Sequence, residues 1–406
     1  MIQATLLDLE KKETPFDGNK NYFKNGLSDS YAEKQKLLSN NSVTSKTGSS
    51  IMCQYVIGDG YGENDELVVN DLKNINLYDL AYRSIKSKVL QRGIFFHVKY
   101  NAEYEKSSID VIPFEDCRVG KKDDSDYNGK ILVSKNFKDS KITPIVIDVY
   151  NPDKKVIESQ VRHASKNNDG ELTQSDWNQY KGQILFINDD YEYIYPLSRI
   201  DSVQNDCDSE GQASVYKNRS LRSGSFGKTI FITPPLVDDD LDEWEEIDGQ
   251  RVPNKLYREA ISEKEKFKET VESFFGAENT GDAVLLETDF DGEDLEKAFV
   301  IKNYESNIND KMFEYTEKST RRNILFAYNN LPVMLVEPSE GVFSNSGETF
   351  TQAQIMYWRN NKTERSVIEK TLTELLTNFK GKNYIVKTQP LFKEQNPLEN
   401  DNNTLD

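Results

Sequence analysis

Cysteine is scarce in this chain. Only Cys53, Cys117 and Cys207 occur among 406 residues, with no C-x-x-C spacing between any two of them. That excludes a disulfide framework and a cysteine-based zinc site, and leaves reduced, mostly buried thiols as the expectation. Histidine is scarcer still: His97 and His163 are alone, and neither sits in an H-E-x-x-H or triad-like pattern. No run of 18 apolar residues is present, and Met1 to Asn25 lacks a basic region followed by an apolar one. No membrane span and no standard export signal are therefore expected. Positive charge is in deficit, with 51 Lys and Arg against 69 Asp and Glu, a formal net charge of −18. Such a surface disfavours adhesion to phosphate backbones or anionic membranes, although it permits a channel through which DNA slides without sticking.

Apolar material is nonetheless ample. Hydrophobic residues reach 36%, with 21 Tyr and 20 Phe, which argues against wholesale disorder. A mean hydropathy of −0.72 with 30% charged residues fits an elongated or ring-forming subunit better than one compact globule. The length allows two or three domains.

The organising stretch runs from Ser306 to Lys380. Ile308, Met312, Tyr315, Ile324, Leu325 and Tyr328 place a thin apolar stripe on a polar helix that Pro332 must stop. Pro338, Gly341 and Gly347 then mark an open loop, Glu337 to Glu348. Thr349 with Gln352 reads as a capping box for a second helix reaching about Asn378, with Ile368, Leu372, Leu375 and Phe379 on its inner face. Residues 1–50 are weakly patterned, either an arm that Tyr22, Phe23, Leu27 and Tyr31 would anchor to a neighbour or a loosely ordered leader. Ile51 to Ile57 is a short apolar segment closed by Gly58, Gly60 and Gly62. Asn76 caps a helix with Leu77, Ala81, Ile85 and Val89 inside, ended by Gly93. Ile94, Phe96, Val98 and Tyr100 alternate as a strand, and further strands are expected at Ser108–Ile112, Lys130–Val133, Pro144–Tyr150, Val156–His163 and Gln183–Ile187. Asn168-Asp169-Gly170 signals a turn. Leu197 to Arg222 reads as a polar helix needing neighbours. A strand at Thr229–Thr233, a helix at Ile261–Phe275 and a strand at Ala283–Glu287 form a small second domain; Asn383–Val386 is a last strand candidate, before an Asn- and Asp-rich end expected to be disordered. The fold class is α+β.

Chemical motifs fail one by one. Gly227-Lys228-Thr229 resembles the end of a phosphate loop, but Arg222 stands where a glycine is needed and the helix precedes the strand. Gly58-Asp-Gly60-Tyr-Gly62 lacks the third dinucleotide-binding position. Glu287 to Gly292 imitates a calcium loop whose twelfth position is Ala298 instead of a bidentate Glu. Leu236 to Gln250 holds eight carboxylates and no base, a solvated loop before it is a cation site. No catalytic residue, cofactor or metal site is read from the sequence.

Taken in order, these pieces resemble the portal proteins of tailed bacteriophages. The resemblance rests on the glycine turn Gly58–Gly62 followed by the Asn74–Arg92 helix, and on Ile109-Asp-Val-Ile112-Pro113-Phe114-Glu-Asp-Cys-Arg118-Val119. It also rests on Tyr195-Pro196 before a helix, and on a long helix interrupted at Asn360-Asn361, both poor helix formers. It implies a portal-like division of the chain: an arm (1–50), a helix-plus-β wing (51–196), a first stem helix (197–223), a clip (224–304), a second stem helix (305–330), a tunnel loop (331–350), a long wing helix (351–380) and a short tail (381–406). It further implies a homododecameric ring at a capsid vertex of the virion, with double-stranded DNA passing through it. A terminase packaging motor, the major capsid protein and head–tail adaptor proteins would be its partners. Glu337, Glu340, Ser344, Asn345 and Glu348 would face DNA, and Asp238, Asp239, Asp240, Asp242 and Glu243 would face motor or adaptor. The acidic insert has no assignable counterpart in the family. Two alternatives stay open: another phage structural protein such as a head–tail adaptor, and a nucleotide-dependent enzyme using Lys228 and Thr229.

Overall fold

The computed structural model describes residues 22–26, 28–121, 128–137, 142–167, 170–223, 227–233, 242–247, 250–274, 283–287, 300–305, 310–337 and 347–392. The chain divides into two units: Met1–Asp208 with Thr320–Asp406, and Ser209–Ser319 between them.

The first unit opens with helices α1 (Tyr31–Asn41) and α2 (Val43–Ile57), a ribbon of β1 (Val68–Asn70) and β2 (Ile75–Asn76), and helix α3 (Leu77–Gln91). Asn76 caps α3 by accepting the Asp79 N–H at 2.8 Å. The helix ends at Arg92, in the left-handed region at φ 56°, one residue before the glycine expected to stop it. The strands are β3 (Gly93–Tyr100), β4 (Lys106–Ile112), β5 (Cys117–Val119), β6 (Lys130–Val133), β7 (Ile145–Val149) and β8 (Gln183–Asn188). They form one sheet in the order β4-β3-β8-β7-β6-β5, antiparallel except for the β7–β8 pair. Alternation along β3 divides its side chains between two cores. Ile94, Phe96, Val98 and Tyr100 join the helical cluster around Leu80, Ile85, Ile368 and Leu372. Phe95 turns the other way and stacks on Phe186, with ring centroids 4.2 Å apart.

Three expectations fail here, each for a physical reason. Residues 31–57, read as arm and short apolar segment, are the helices α1 and α2. The inner face of α1 and of the first half of α2 is small and polar, while Met52, Cys53, Val56 and Ile57 of the second half join the main core. The Ser45 hydroxyl lies 2.7 Å from the Tyr328 hydroxyl and 2.8 Å from that of Ser39, and Gly48 lies under the Tyr328 ring. Hydrophobic periodicity is blind to such packing. Tyr22 and Tyr31 anchor within their own chain, on Phe137 and on Asp201; Leu27 lies outside the described residues. Val156–His163 is not a strand but part of helix α4 (Lys154–Ser165), capped by Asp153, which accepts the Lys155 N–H at 2.8 Å. Ile157 and Val161, four apart, are fully buried, a helical spacing that outweighs the local alternation. A short helix α5 (Gln174–Gln179) precedes β8. Asn383–Val386 pairs with no strand among the described residues, because two of its N–H groups turn to the end of α11: Tyr384 to the Leu376 carbonyl and Val386 to the Thr373 hydroxyl.

After a turn at Asp201–Val203, helix α6 (Gln204–Ser223) begins in the first unit and ends in the second, later than the expected Leu197 start. The second unit has β9 (Gly227–Thr233), a ribbon of β10 (Trp244–Ile247) and β11 (Gln250–Pro253), helix α7 (Lys255–Phe274), β12 (Ala283–Glu287) and β13 (Val300–Glu305). β9 is central, parallel to β12 and antiparallel to β13. The ribbon and β13 have no counterpart in the sequence reading; β9 and β12 lie where they are expected, and α7 begins six residues before the expected Ile261.

Helix α8 (Asp310–Ala327) begins in the second unit and ends in the first. The short helix α9 (Val333–Val336), then α10 (Gly347–Asn360) and α11 (Lys362–Leu375) complete the first unit. Helix α10 starts at Gly347, so Thr349 lies inside its first turn and caps nothing.

One buried amine gives this packing a pH signature. Lys106 donates to the Glu374 carbonyl at 2.7 Å, at the C-terminal end of α11 where the helix dipole favours a cation. Burial outweighs the nearby Glu374 charge and lowers its pKa to about 8. Below that pH folding carries the full penalty of a buried ammonium. As pH rises from about 8 toward the ordinary lysine value of about 10.4, the folded state sheds the proton first and the penalty fades. Lys106→Met should remove this rise, measured as urea midpoints of the two proteins between pH 7 and 10.5.

Candidate functional site

Helices α8 and α10 bracket the Glu337–Glu348 segment, and both meet the wall of the first unit at a buried charged junction. Lys88 stands on the inner face of α3, only 2% exposed, where the apolar pattern would place another aliphatic. Its ammonium is paired with Asp189 and lies 3.2 Å from Glu364 Oε2. The other Glu364 oxygen receives Arg199 Nη2 at 2.5 Å. Arg199 also donates from Nη1 to Asn329 Oδ1 and from Nε to the Val89 carbonyl, both at 2.8 Å. One carboxylate thus joins α3, the segment after β8 and the first turn of α11, while Arg199 adds the end of α8.

The break between α10 and α11 belongs to the same network. Asn361 donates from Nδ2 to the Tyr357 carbonyl at 2.9 Å, and its Oδ1 accepts Asn329 Nδ2 at 2.9 Å. The side chain is a second donor to the Tyr357 carbonyl, which also takes the Asn361 N–H at 3.2 Å, and the residue between the two helices is held by both. Asn329 can reach it because α8 ends in two consecutive left-handed asparagines, Asn329 and Asn330, at φ 54° and 61°. Asparagine tolerates that region better than most residues.

Burial pushes the Glu364 carboxyl up, but the charges and hydrogen bonds of Arg199 and Lys88 outweigh it, and the net direction is downward. The junction lines a cavity of about 670 Å³ together with Arg92, Ser198, Asp201, Ser202, Thr363 and Val367. Its positive and negative groups largely satisfy one another, so the arrangement holds the helices together.

The residues picked out in the sequence fall elsewhere. Glu337 is exposed, at the end of α9, and pairs with Arg321 of α8. Glu348 is exposed in the first turn of α10. Asp242 and Glu243 are exposed at the base of the β10–β11 ribbon, where Asn254 closes it by donating to both backbone carbonyls. Glu340, Ser344, Asn345, Asp238, Asp239 and Asp240 lie outside the described residues, as do Asn168 and Asp169, the Glu287-to-Ala298 segment beyond Glu287, and the chain after Phe392. Sequence reasoning missed the junction. Its signals were a lysine at an inner position of α3 and paired asparagines after α8.

The glycine motif has a structural use. Gly58 and Gly60 adopt φ 63° and 84°, and Gln389 bonds to the backbone here, through Asp59 N–H to its carbonyl at 3.0 Å and its own N–H to the Gly60 carbonyl at 2.8 Å. Lys228 lies in β9, paired with Tyr304. His97 sits in β3 with its ring nitrogen 2.6 Å from the Lys181 carbonyl; burial chiefly lowers its pKa. The three cysteines are free and buried. Among the described residues no cluster of three or more His, Cys, Asp or Glu could hold a metal ion, and no helix is long and apolar enough to cross a membrane.

No protein-family model matches the chain, and no curated protein does. Solved structures do. A chain of the virion of the native gene transfer agent particle has a TM-score of 0.50 at 14% identity, over 93% of this chain and 86% of that one. A chain from the neck of the native particle, computed with C12 symmetry, has a TM-score of 0.49 at 13% identity, over 92% and 85%. At such identity the virion chain speaks for the fold, a mixed α+β architecture, and for nothing finer.

Proposed function

We propose that this chain is a portal-type structural subunit of a phage-like particle. Copies would form a closed ring at one capsid vertex, double-stranded DNA would pass along its axis, and a packaging motor and head–tail adaptors would dock on it. The observation that carries the reading is the fold likeness to a virion chain over 93% of the sequence. Element order supports it: a helix-plus-sheet unit is interrupted by a smaller one, reached through α6 and left through α8, and followed by a long helix interrupted at Asn361. Phe326 on α8 and Met356 on α10 are about half exposed, as expected of helices that bury a face only beside neighbouring copies.

In this reading Glu337, Glu340, Ser344, Asn345 and Glu348 face the channel, where like charge keeps DNA from adhering. Asp238, Asp239, Asp240, Asp242 and Glu243 face the motor or adaptor. Negative-stain electron microscopy with mass determination tests the ring. About a dozen subunits around an axial hole wide enough for duplex DNA is the expected result; closed rings without a hole, or a stable dimer, would overturn it. A second expectation concerns the acids between Leu236 and Gln250: changing all eight to amides should impair DNA packaging while rings still form, read as packaged DNA per particle in complemented infections.

A further inference from the structure

We propose that the β10–β11 ribbon is a docking edge that takes a basic β-strand from a partner protein. This names the chemistry of the partner for the docking role suggested above, and rests on that reading only for the partner's identity.

The ribbon pairs Trp244 with Pro253, Glu245 with Val252 and Glu246 with Arg251, and neither strand has a third strand beside it among the described residues. Among the described residues each outer edge therefore presents backbone N–H and C=O groups to no further strand. A two-stranded ribbon is marginal alone and gains stability from a third strand. Its attachment is polar and local: Asn254 bonds back to Asp242 and Glu243, and its side chain accepts the Leu256 N–H at 3.0 Å to cap α7. Three large apolar side chains beside it are uncovered, with Trp244 43% exposed, Val252 37% and Leu256 65%. A tryptophan left open on a ribbon is what a protein contact uses as an anchor. A ribbon serving only solubility has no need of it.

Charge selects the occupant. Asp242, Glu243, Glu245 and Glu246 are all exposed, and Arg251 is the one base on the ribbon, its guanidinium 5.9 Å from the Trp244 ring. A second copy of the ribbon would bring like charge against like, and a nucleic acid would bring phosphates. A strand whose outward side chains are Lys or Arg pairs its backbone with the edge and its ammonium or guanidinium groups with the carboxylates, which is strand addition with charge setting specificity.

The test uses the full chain and three labelled peptides followed by fluorescence anisotropy: alternating Val and Lys, alternating Val and Glu, and the Val–Lys peptide N-methylated on alternate backbone amides. The Val–Lys peptide should bind. Its affinity should fall about tenfold on raising salt from low to physiological strength, and by at least about tenfold in Trp244→Ala and in the combined Asp242→Asn, Glu243→Gln, Glu245→Gln, Glu246→Gln protein. Far-UV circular dichroism verifies that both variants fold. The methylated peptide, unable to complete the ladder, should bind at least about tenfold more weakly. No binding of the Val–Lys peptide, equal binding of the methylated or the Val–Glu peptide, or indifference to the ribbon substitutions would overturn the proposal. So would displacement by duplex DNA. Ring formation is scored separately by microscopy, so either idea can fail alone.

Discussion

Arg199→Ala is expected to lower the unfolding free energy of the first unit by about 3 kcal/mol or more, because it leaves Glu364 buried with half its partners gone. Arg199 is 8% exposed and Glu364 16%, so water can do little to replace the lost guanidinium. The change also strips Asn329 of a donor and unpins the end of α8. Glu364→Gln should be milder, since an amide oxygen still accepts from Arg199. The contrast between the two separates loss of a hydrogen bond from stranding of a charge. Urea unfolding of both variants at neutral pH decides it; equal, small effects would show that the junction is only a surface decoration. Acid gives an independent reading. The Glu364 pKa is lower folded than unfolded, so its contribution is present above the ordinary glutamate value of about 4.3 and is lost as pH falls through the folded one. Arg199→Ala should flatten this part of the acid limb.

Gly58→Ala should have the second-largest effect, a loss of about 2 kcal/mol or more from a strained backbone and a close contact. The residue sits at φ 63°, and an added Cβ would come within 2.4 Å of the Gln389 carbonyl and 2.7 Å of Thr388 Cγ2. Backbone cannot retreat as a flexible side chain can. The stretch from Thr388 to Phe392 would lift from the turn, taking with it the bond from the Thr388 N–H to Glu369 and the packing of Phe392 against Tyr55. Faster cleavage between Lys387 and Phe392 in limited proteolysis, with a lowered Tm, would show it. An unchanged cleavage pattern would mean that the strap holds without the glycine.

Much of the fold is legible in the sequence where burial is apolar and periodic. Helix α3 with its Asn76 cap, the alternating face of β3, the strand at Ala283–Glu287 and the break at Asn361 all follow from side-chain pattern or propensity. Legibility ends where packing is made of small polar groups or distant charges. Thr44, Ser45 and Gly48 line the inner face of α2, and such residues read as loop in a hydropathy pattern. The junction draws Lys88, Asp189, Arg199, Asn329 and Glu364 from four separate stretches. No spacing rule links them, and in a chain with 69 acids any one carboxylate is unremarked until its neighbours are known.

The interrupted first unit sets an order of events during synthesis. Tyr328 must reach back to Ser45, and Arg365 to the Tyr55 carbonyl, across 283 and 310 residues. The unit from Ser209 to Ser319 is contiguous and leaves the ribosome whole while the first still lacks α9, α10 and α11. Until those helices arrive, Leu80, Ile85 and Phe96 face an unfinished core, and the nascent chain is at its most vulnerable to misassembly and chaperone capture. The last helices translated close the first unit, so a truncated product lacking them should emerge with a folded middle and an open end.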